Sequence, residues 1–180
     1  TTVKQMFRWS KDFYPDFDME YATVLAGRFG LNLKKKLKGL STGYLTIAKL
    51  IVALASNAPY TFFDEPVLGL DANHREMFYR EMIHCYSERP RTIVISTHLI
   101  EEIADIIEQV VMIKEGKILL DRPVEEVKQM GYQVSGKASE VDDYCAGKKI
   151  LSEDLLGGLK SACLLGRPEN VPESLEITPL

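Results

Sequence analysis

The sequence has few of the features that mark several large protein classes. It contains three cysteines in 180 residues, Cys85, Cys145 and Cys163, and they lie far apart. An odd number of widely spaced cysteines fits neither a disulfide framework nor a Cys-x-x-Cys metal site, so we expect a reducing cytosol. No apolar run reaches the roughly 18 residues that a bilayer-spanning helix needs.

The beginning of the chain and its charge give two further indications. Thr1–Lys4 has no initiator methionine, so we expect residues upstream of Thr1, and no secretory signal is visible there. The chain has 22 Lys and Arg against 26 Asp and Glu, a formal charge of −4. That balance does not favour nucleic-acid binding. We interpret the one basic run, at 34–38, as a solvated helix end or loop.

What is present is the composition of a soluble globular protein, with 46% apolar and 27% charged residues. Continuous apolar runs predict parallel strands at 60–63 and 92–96, and the first of them is expected to be buried on both faces. Helical spacing of apolar residues predicts helices over 3–11, 19–29, 43–55, 72–87, 99–109 and 124–130. The strand–helix–strand order predicts an α/β domain, and a hairpin is expected across Gly116. Beyond 131 we expect a small α+β appendage.

Two adjacent carboxylates, Asp64 and Glu65, follow the first predicted strand. Ligands of open α/β sheets bind at the carboxyl ends of the strands. One such acid can hold Mg²⁺, and the other can orient or deprotonate a water molecule. Taken alone, the pair fits a cap on the next turn equally well.

Two other segments carry candidate phosphate-binding groups. Ser41 precedes the buried helix, whose free N–H groups and dipole favour anions, although an ordinary helix cap has the same sequence. His98 follows the second predicted strand. If that strand lies beside the first, the imidazole is close to the carboxylates and can donate to a phosphate oxygen. A lone histidine at a strand end is otherwise more often structural.

Taken together and in their order along the chain, these segments resemble the motifs of nucleotide-binding subunits of ATP-binding cassette (ABC) transporters. The resemblance covers about residues 1–130. Leu40–Tyr44 resembles the signature motif and Phe62–Pro66 the Walker B strand, while Gly69–Asp71 resembles the D-loop and Ser96–His98 the switch histidine. It implies a P-loop NTPase fold with a parallel-strand core. Within it, 1–55 would be the helical subdomain and signature helix, 56–130 the Walker B to H-loop core, and 131–180 the appendage.

The sequence departs from the family in two respects. Thr42 and Tyr44 replace the third and fifth residues of the usual Leu-Ser-Gly-Gly-Gln signature, whereas Ser41 and Gly43 remain. No Gly-x-x-x-x-Gly-Lys-Ser/Thr phosphate loop occurs, and we interpret 157–161 (GGLKS) as a turn that enters a strand. We therefore expect an incomplete ABC ATPase domain, truncated at its N-terminus, without Walker A and the Q-loop.

The resemblance also implies roles for single residues. Asp64 would hold Mg²⁺, Glu65 would be the general base for water, and His98 would contact the γ-phosphate of ATP. These roles make the parent protein an ATPase with ATP and Mg²⁺ as cofactors. Because the phosphate loop is absent, we expect the 180-residue chain alone to be inactive.

The remaining implied roles concern partners. Ser41 and Gly43 would contact ATP bound to a second nucleotide-binding subunit, and Asp71 would couple the two sites. Dimer closure would drive a membrane permease, which places the protein in the cytoplasm at the inner face of a bacterial cell membrane. Two alternatives stay open: a soluble ABC ATPase without a transport role, and a non-catalytic interaction module.

Overall fold

The computed structural model describes residues 1–179 and divides into two compact units. The first unit is Thr1–Ile100, and the second begins at Glu101. The division at residue 130 that the resemblance implies stays a prediction. In the part of the chain that the structure describes, no helix has both the length and the apolar character to cross a membrane.

The first unit contains the long helices and a pair of parallel strands. Its elements are α1 (Val3–Phe13), α2 (Met19–Arg28), a 3₁₀ turn (Leu37–Gly39), α3 (Thr42–Ala55), β1 (Tyr60–Asp64), α4 (Ala72–Glu88) and β2 (Thr92–Ser96). The helix starts follow from capping side chains, because an oxygen there satisfies a free N–H group. Thr2 and Gln5 form a reciprocal capping box at α1, and Asp18 accepts from the Tyr21 N–H at 2.8 Å.

Helix α3 is the centre of this unit, since Ile47, Ile51 and Leu54 are almost completely buried. Helix α4 packs against β1 through Phe78, whose ring centroid lies 5.3 Å from that of Phe63, edge to face. This contact fixes the carboxyl end of β1 relative to α4.

The two predicted strands do pair in parallel, with Tyr60 opposite Thr92 and Asp64 opposite Ser96. The expectation that both faces of β1 are buried is wrong for the described residues. Phe63 is buried, but Phe62 on the other face is 74% exposed. The reason is that the helices of this unit cover only the face that carries Phe63.

The predicted helix over 99–109 is also wrong in extent, since α5 is only Ile100–Ile103. A turn follows, with the Ile106 N–H bonded to the Ile103 carbonyl at 3.0 Å. The chain then enters β3 (Gln109–Lys114), so the apolar residues at 106 and 107 belong to the turn and the strand approach.

All paired strands of the second unit are antiparallel. The unit contains the predicted hairpin and the predicted α+β segment. Its further elements are β4 (Lys117–Pro123), α6 (Val124–Lys128), β5 (Gly131–Lys137), α7 (Ala138–Cys145), β6 (Ile150–Leu156), β7 (Leu159–Leu165) and β8 (Glu176–Pro179). Strands β3 and β4 form the hairpin, and the other four form a sheet in the order β6-β7-β5-β8. Helix α7 covers this sheet, and Val134, Val141 and Leu164 are fully buried between them.

Residues 157–161 form the β6–β7 turn and the start of β7, as interpreted from the sequence. The Lys160 ammonium bonds the carboxylates of Asp142, at 2.6 Å, and Glu153, at 2.8 Å. These two carboxylates raise the pKa of Lys160. Lys160 is thus an internal ion-pair partner within the second unit.

Candidate functional site

The parallel pairing of β1 and β2 brings two of the predicted motifs together at one edge of the sheet. The Glu65 N–H donates to the Ser96 carbonyl at 2.8 Å, one residue beyond the end of β1. The Ser96 hydroxyl donates to Oδ1 of Asp64 at 3.0 Å. Asp64 and Glu65 are therefore each joined to Ser96 by a direct hydrogen bond.

Glu65 receives the densest set of hydrogen bonds at this edge. The Thr97 hydroxyl donates to Oε2 at 3.1 Å, while the His98 N–H and Nδ1 lie 3.1 and 2.8 Å from Oε1. The imidazole hydrogen bond is the main reason why the pKa of Glu65 lies below its ordinary value, with a smaller contribution from Thr97. Glu65 is thus ionised at neutral pH, which a general base requires.

The backbone of Glu65 is unusual, with φ at +43°. A non-glycine residue rarely adopts this left-handed conformation, and such residues concentrate at functional sites. The turn that follows is closed by a bond from the Leu68 N–H to the Glu65 carbonyl, at 3.2 Å. The strained position therefore lies where the chain turns from β1 towards the D-loop.

Asp71 caps α4. Its Oδ1 accepts from the His74 N–H at 3.0 Å, and its Oδ2 lies 2.7 Å from His74 Nδ1. These bonds lower the pKa of the Asp71 carboxyl, with the backbone bond as the larger cause. The carboxylate remains 65% exposed, so it can meet a partner.

Ser41 and Gly43 form the beginning of α3. The Ser41 hydroxyl oxygen accepts from the Tyr44 N–H at 3.3 Å, which confirms the predicted cap. A Cβ atom on Gly43 would lie 3.3 Å from the Gly69 carbonyl oxygen and 3.9 Å from Leu70. The signature segment thus lies directly against the D-loop, and a larger residue at position 43 would crowd it.

The predicted site residues form two groups in the first unit. Asp64, Glu65 and His98 are joined by hydrogen bonds at the end of the parallel strands. The other three residues lie where the signature segment and the D-loop meet: Ser41, Gly43 and Asp71. The sequence reasoning gave no role to Thr97 or His74. The available signals were the hydroxyl of Thr97 directly before His98, and the ring of His74 three residues after Asp71.

The residues at the strand end fit Mg²⁺ only as part of a larger coordination shell. Among residues 1–179, no group of three or more His, Cys, Asp and Glu side chains is placed to hold a metal ion. Asp64 offers an exposed carboxylate beside the Ser96 hydroxyl. Mg²⁺ commonly takes one or two such oxygens and completes its octahedron with phosphate and water.

Comparisons with known proteins point to one family. The chain is 28% identical over 128 residues to the ABC transporter ATP-binding protein YtrB of Bacillus subtilis, which covers 71% of this chain and 44% of that protein. It is 35% identical over 107 residues to the bacitracin transport ATP-binding protein BcrA of Bacillus licheniformis, which covers 58% of this chain and 31% of that protein. The chain therefore spans less than half the length of these relatives. No family model matches it.

Solved structures show the same fold. An ATP-binding subunit of an ABC transporter superposes with a TM-score of 0.64 at 20% identity, covering 71% of this chain and 55% of that one. A putative cobalt transport ATP-binding protein superposes with a TM-score of 0.61 at 18% identity, covering 93% of this chain and 60% of that one. The motifs, the relatives and the fold agree, and together they support an ABC-type nucleotide-binding fragment, similar to part of the ATP-binding proteins of ABC transporters.

Proposed function

We propose that this chain is part of the ATP-hydrolysing subunit of a bacterial ABC transporter. The observation that carries the proposal is the contact between Glu65 and His98 across the two parallel strands. An ionised carboxylate with a histidine bonded to it, at the carboxyl edge of a parallel sheet, suits the activation of water next to a phosphate. The relatives named above support the transport setting.

Three residues would act on the nucleotide from this chain. Asp64 would hold Mg²⁺, which neutralises phosphate charge when it is bound with ATP. Glu65 would accept a proton from the attacking water, and His98 would donate a hydrogen bond to the γ-phosphate. In the structure His98 bonds Glu65, so its imidazole would exchange this carboxylate for a phosphate oxygen when ATP binds.

The signature segment and the D-loop would act on a second nucleotide-binding subunit. Ser41 and Gly43 begin a helix whose free N–H groups favour anions, and they would close over the γ-phosphate held by that subunit. Asp71, exposed beside them, would couple the two sites. Closure of the pair would drive a membrane permease, with the protein in the cytoplasm at the membrane surface.

We further propose that the 180-residue chain neither binds ATP tightly nor hydrolyses it. Its sequence has no Gly-x-x-x-x-Gly-Lys-Ser/Thr loop, which supplies most of the backbone N–H groups for the triphosphate in P-loop proteins. Isothermal titration calorimetry of the chain with Mg·ATP tests this expectation. Micromolar affinity would contradict it.

The proposed base is tested by Glu65→Gln in a whole protein that contains this segment and a phosphate loop. We expect ATP hydrolysis to fall by about 100-fold or more, because general base catalysis typically contributes 10²–10⁴, while ATP binding persists. Glu76→Gln is the matched control, since Glu76 is an exposed glutamate on α4. Undiminished hydrolysis by Glu65→Gln would refute the assignment. A permease gene beside the coding gene would favour transport over the alternative of a soluble ABC ATPase.

A further inference from the structure

We propose that His74 is a positioning residue that ties Asp71 of the D-loop to Tyr44 of the signature helix, so that the two segments move as one body. The significance of this link rests on the proposed function, which assigns both segments to the nucleotide of a second subunit. The link itself consists of contacts within the first unit.

The first half of the link is the contact between the imidazole and Asp71. Nδ1 of His74 lies 2.7 Å from Oδ2 of Asp71, while the backbone N–H of His74 bonds Oδ1. The backbone bond alone is enough to cap α4, and any residue with an N–H group at position 74 would make it. The side-chain bond engages the second carboxylate oxygen and restricts rotation of the carboxylate.

The second half of the link is aromatic. The His74 ring contacts two other rings, those of Phe29, at the end of α2, and Tyr44, in the first turn of α3. Its centroid is 6.1 Å from the Phe29 ring, nearly parallel at 14°, and 6.1 Å from the Tyr44 ring, edge-on at 71°. Only 21% of the His74 side chain is exposed. The imidazole can therefore not turn away from Asp71 without leaving both rings.

Tyr44 also approaches Gly30. Its hydroxyl oxygen lies 3.6 Å from the place that a Cβ atom on Gly30 would occupy, and Gly30 has φ at +64°. Tyr44 thus contacts both the segment that follows α2 and His74 on α4. The family signature usually has glutamine at position 44, which has no ring to offer. The departure from the family pattern at Tyr44 and the presence of His74 are therefore parts of one contact.

The signature segment and the D-loop are also in contact through their backbones, in addition to the side-chain link. The close approach of Gly43 to the Gly69 carbonyl sets the distance between them. Backbone contact fixes separation, whereas the contacts of Tyr44 and His74 fix rotation of the capping carboxylate relative to α3. A shift of the signature helix would then move Asp71 with it.

The test is a double-mutant cycle in the 180-residue chain, read by amide hydrogen exchange. Tyr44→Leu removes one ring, His74→Asn keeps a donor for Asp71 without a ring, and His74→Phe keeps the ring without the donor. Exchange is followed at the amide of residue 74, which donates to Asp71. We expect Tyr44→Leu to raise exchange at this amide at least threefold in the wild type, but not in the His74→Asn or His74→Phe backgrounds, because each of them lacks one half of the link.

Equal effects of Tyr44→Leu in all three backgrounds would overturn the proposal, because His74 would then be only a helix cap. No change at the amide of residue 74 when Tyr44→Leu is made in the wild type would also overturn it. Glu76→Gln is the control on the same helix and should leave these rates unchanged. Circular dichroism identifies any variant that fails to fold. If Tyr44→Leu fails, the cycle uses Tyr44→Gln, which also removes the ring, and Tyr44→Phe, which keeps the ring, should show wild-type exchange.

A second readout separates this inference from the proposed function. In a whole protein with ATPase activity, His74→Asn and Tyr44→Leu should each lower kcat several-fold with little change in KM for ATP, and the double variant should fall no further. A wild type without ATPase activity would refute the proposed function while the exchange coupling stands. Normal kcat in both variants, in an active protein, would refute the positioning role alone.

Discussion

The strongest stability prediction concerns a buried carboxylate between α2 and α4. Glu81 is 4% exposed, and its carboxylate accepts from Arg28, at 2.5 Å, and from the Tyr21 hydroxyl, at 3.1 Å. The Arg28 side chain is 50% exposed. Removing Arg28 should therefore destabilise the protein more than removing the charge of Glu81, because only Glu81 is buried.

Replacing Arg28 by methionine would leave a charged carboxylate inside the protein with one hydrogen bond from Tyr21. Losing one partner of a buried pair typically costs about 3–5 kcal/mol, and we expect the lower end, about 3 kcal/mol, because water can enter from the half-exposed side. Glu81→Gln leaves a guanidinium that already reaches water. The lost charged hydrogen bond should then cost only about 1–2 kcal/mol.

Urea unfolding followed by far-UV circular dichroism measures this difference, since α1 to α4 all lie in the first unit. With a slope of about 1–3 kcal/mol per molar urea, Arg28→Met should lower the midpoint by about 1–3 M, clearly more than Glu81→Gln. Tyr21→Phe, which leaves the ion pair intact, is the control. The reasoning is refuted if Glu81→Gln destabilises the protein as much as Arg28→Met does.

Two further predictions concern the core and the acid stability of the site. Phe78→Ala should destabilise the first unit by about 3–5 kcal/mol in the same assay, because the ring is completely buried and packs on Phe63; a cost below about 1 kcal/mol would contradict this packing. The folded pKa of Glu65 lies below its ordinary value of 4.5, so the stability it contributes is present above that value and is lost as the pH falls through the folded pKa. Glu65→Gln should therefore flatten the decline in stability as the pH falls below 4.5, and unchanged curvature would show that the carboxylate is not held by His98 in solution.

The sequence was informative where local chemistry decides the structure. Ser41 caps α3 as predicted, and Asp71 caps α4 for the same reason, because an oxygen before a helix satisfies a free N–H group in almost any context. The parallel strands place Asp64 beside Ser96, as expected when the two strands of a strand–helix–strand unit are neighbours.

Features that depend on what covers a surface could not be predicted. The alternating burial of β1, with Phe63 buried and Phe62 exposed, depends on which face the helices cover. An apolar run in the sequence does not indicate which face that is. The ring cluster around His74 is similar, since it is formed by Phe29 and Tyr44 from two other helices. A pattern read along one segment does not show which aromatic residues a distant segment will bring to it.

The left-handed backbone of Glu65 has a consequence for any attempt to make this protein more robust. Glycine adopts that conformation without steric cost, whereas glutamate does not. A screen that rewards only folding would therefore tend to replace the residue on which the proposed chemistry depends. Proteins often carry such conflicts at functional positions. Engineering for stability should accordingly keep position 65 fixed and seek its gains on the helices remote from the strand end.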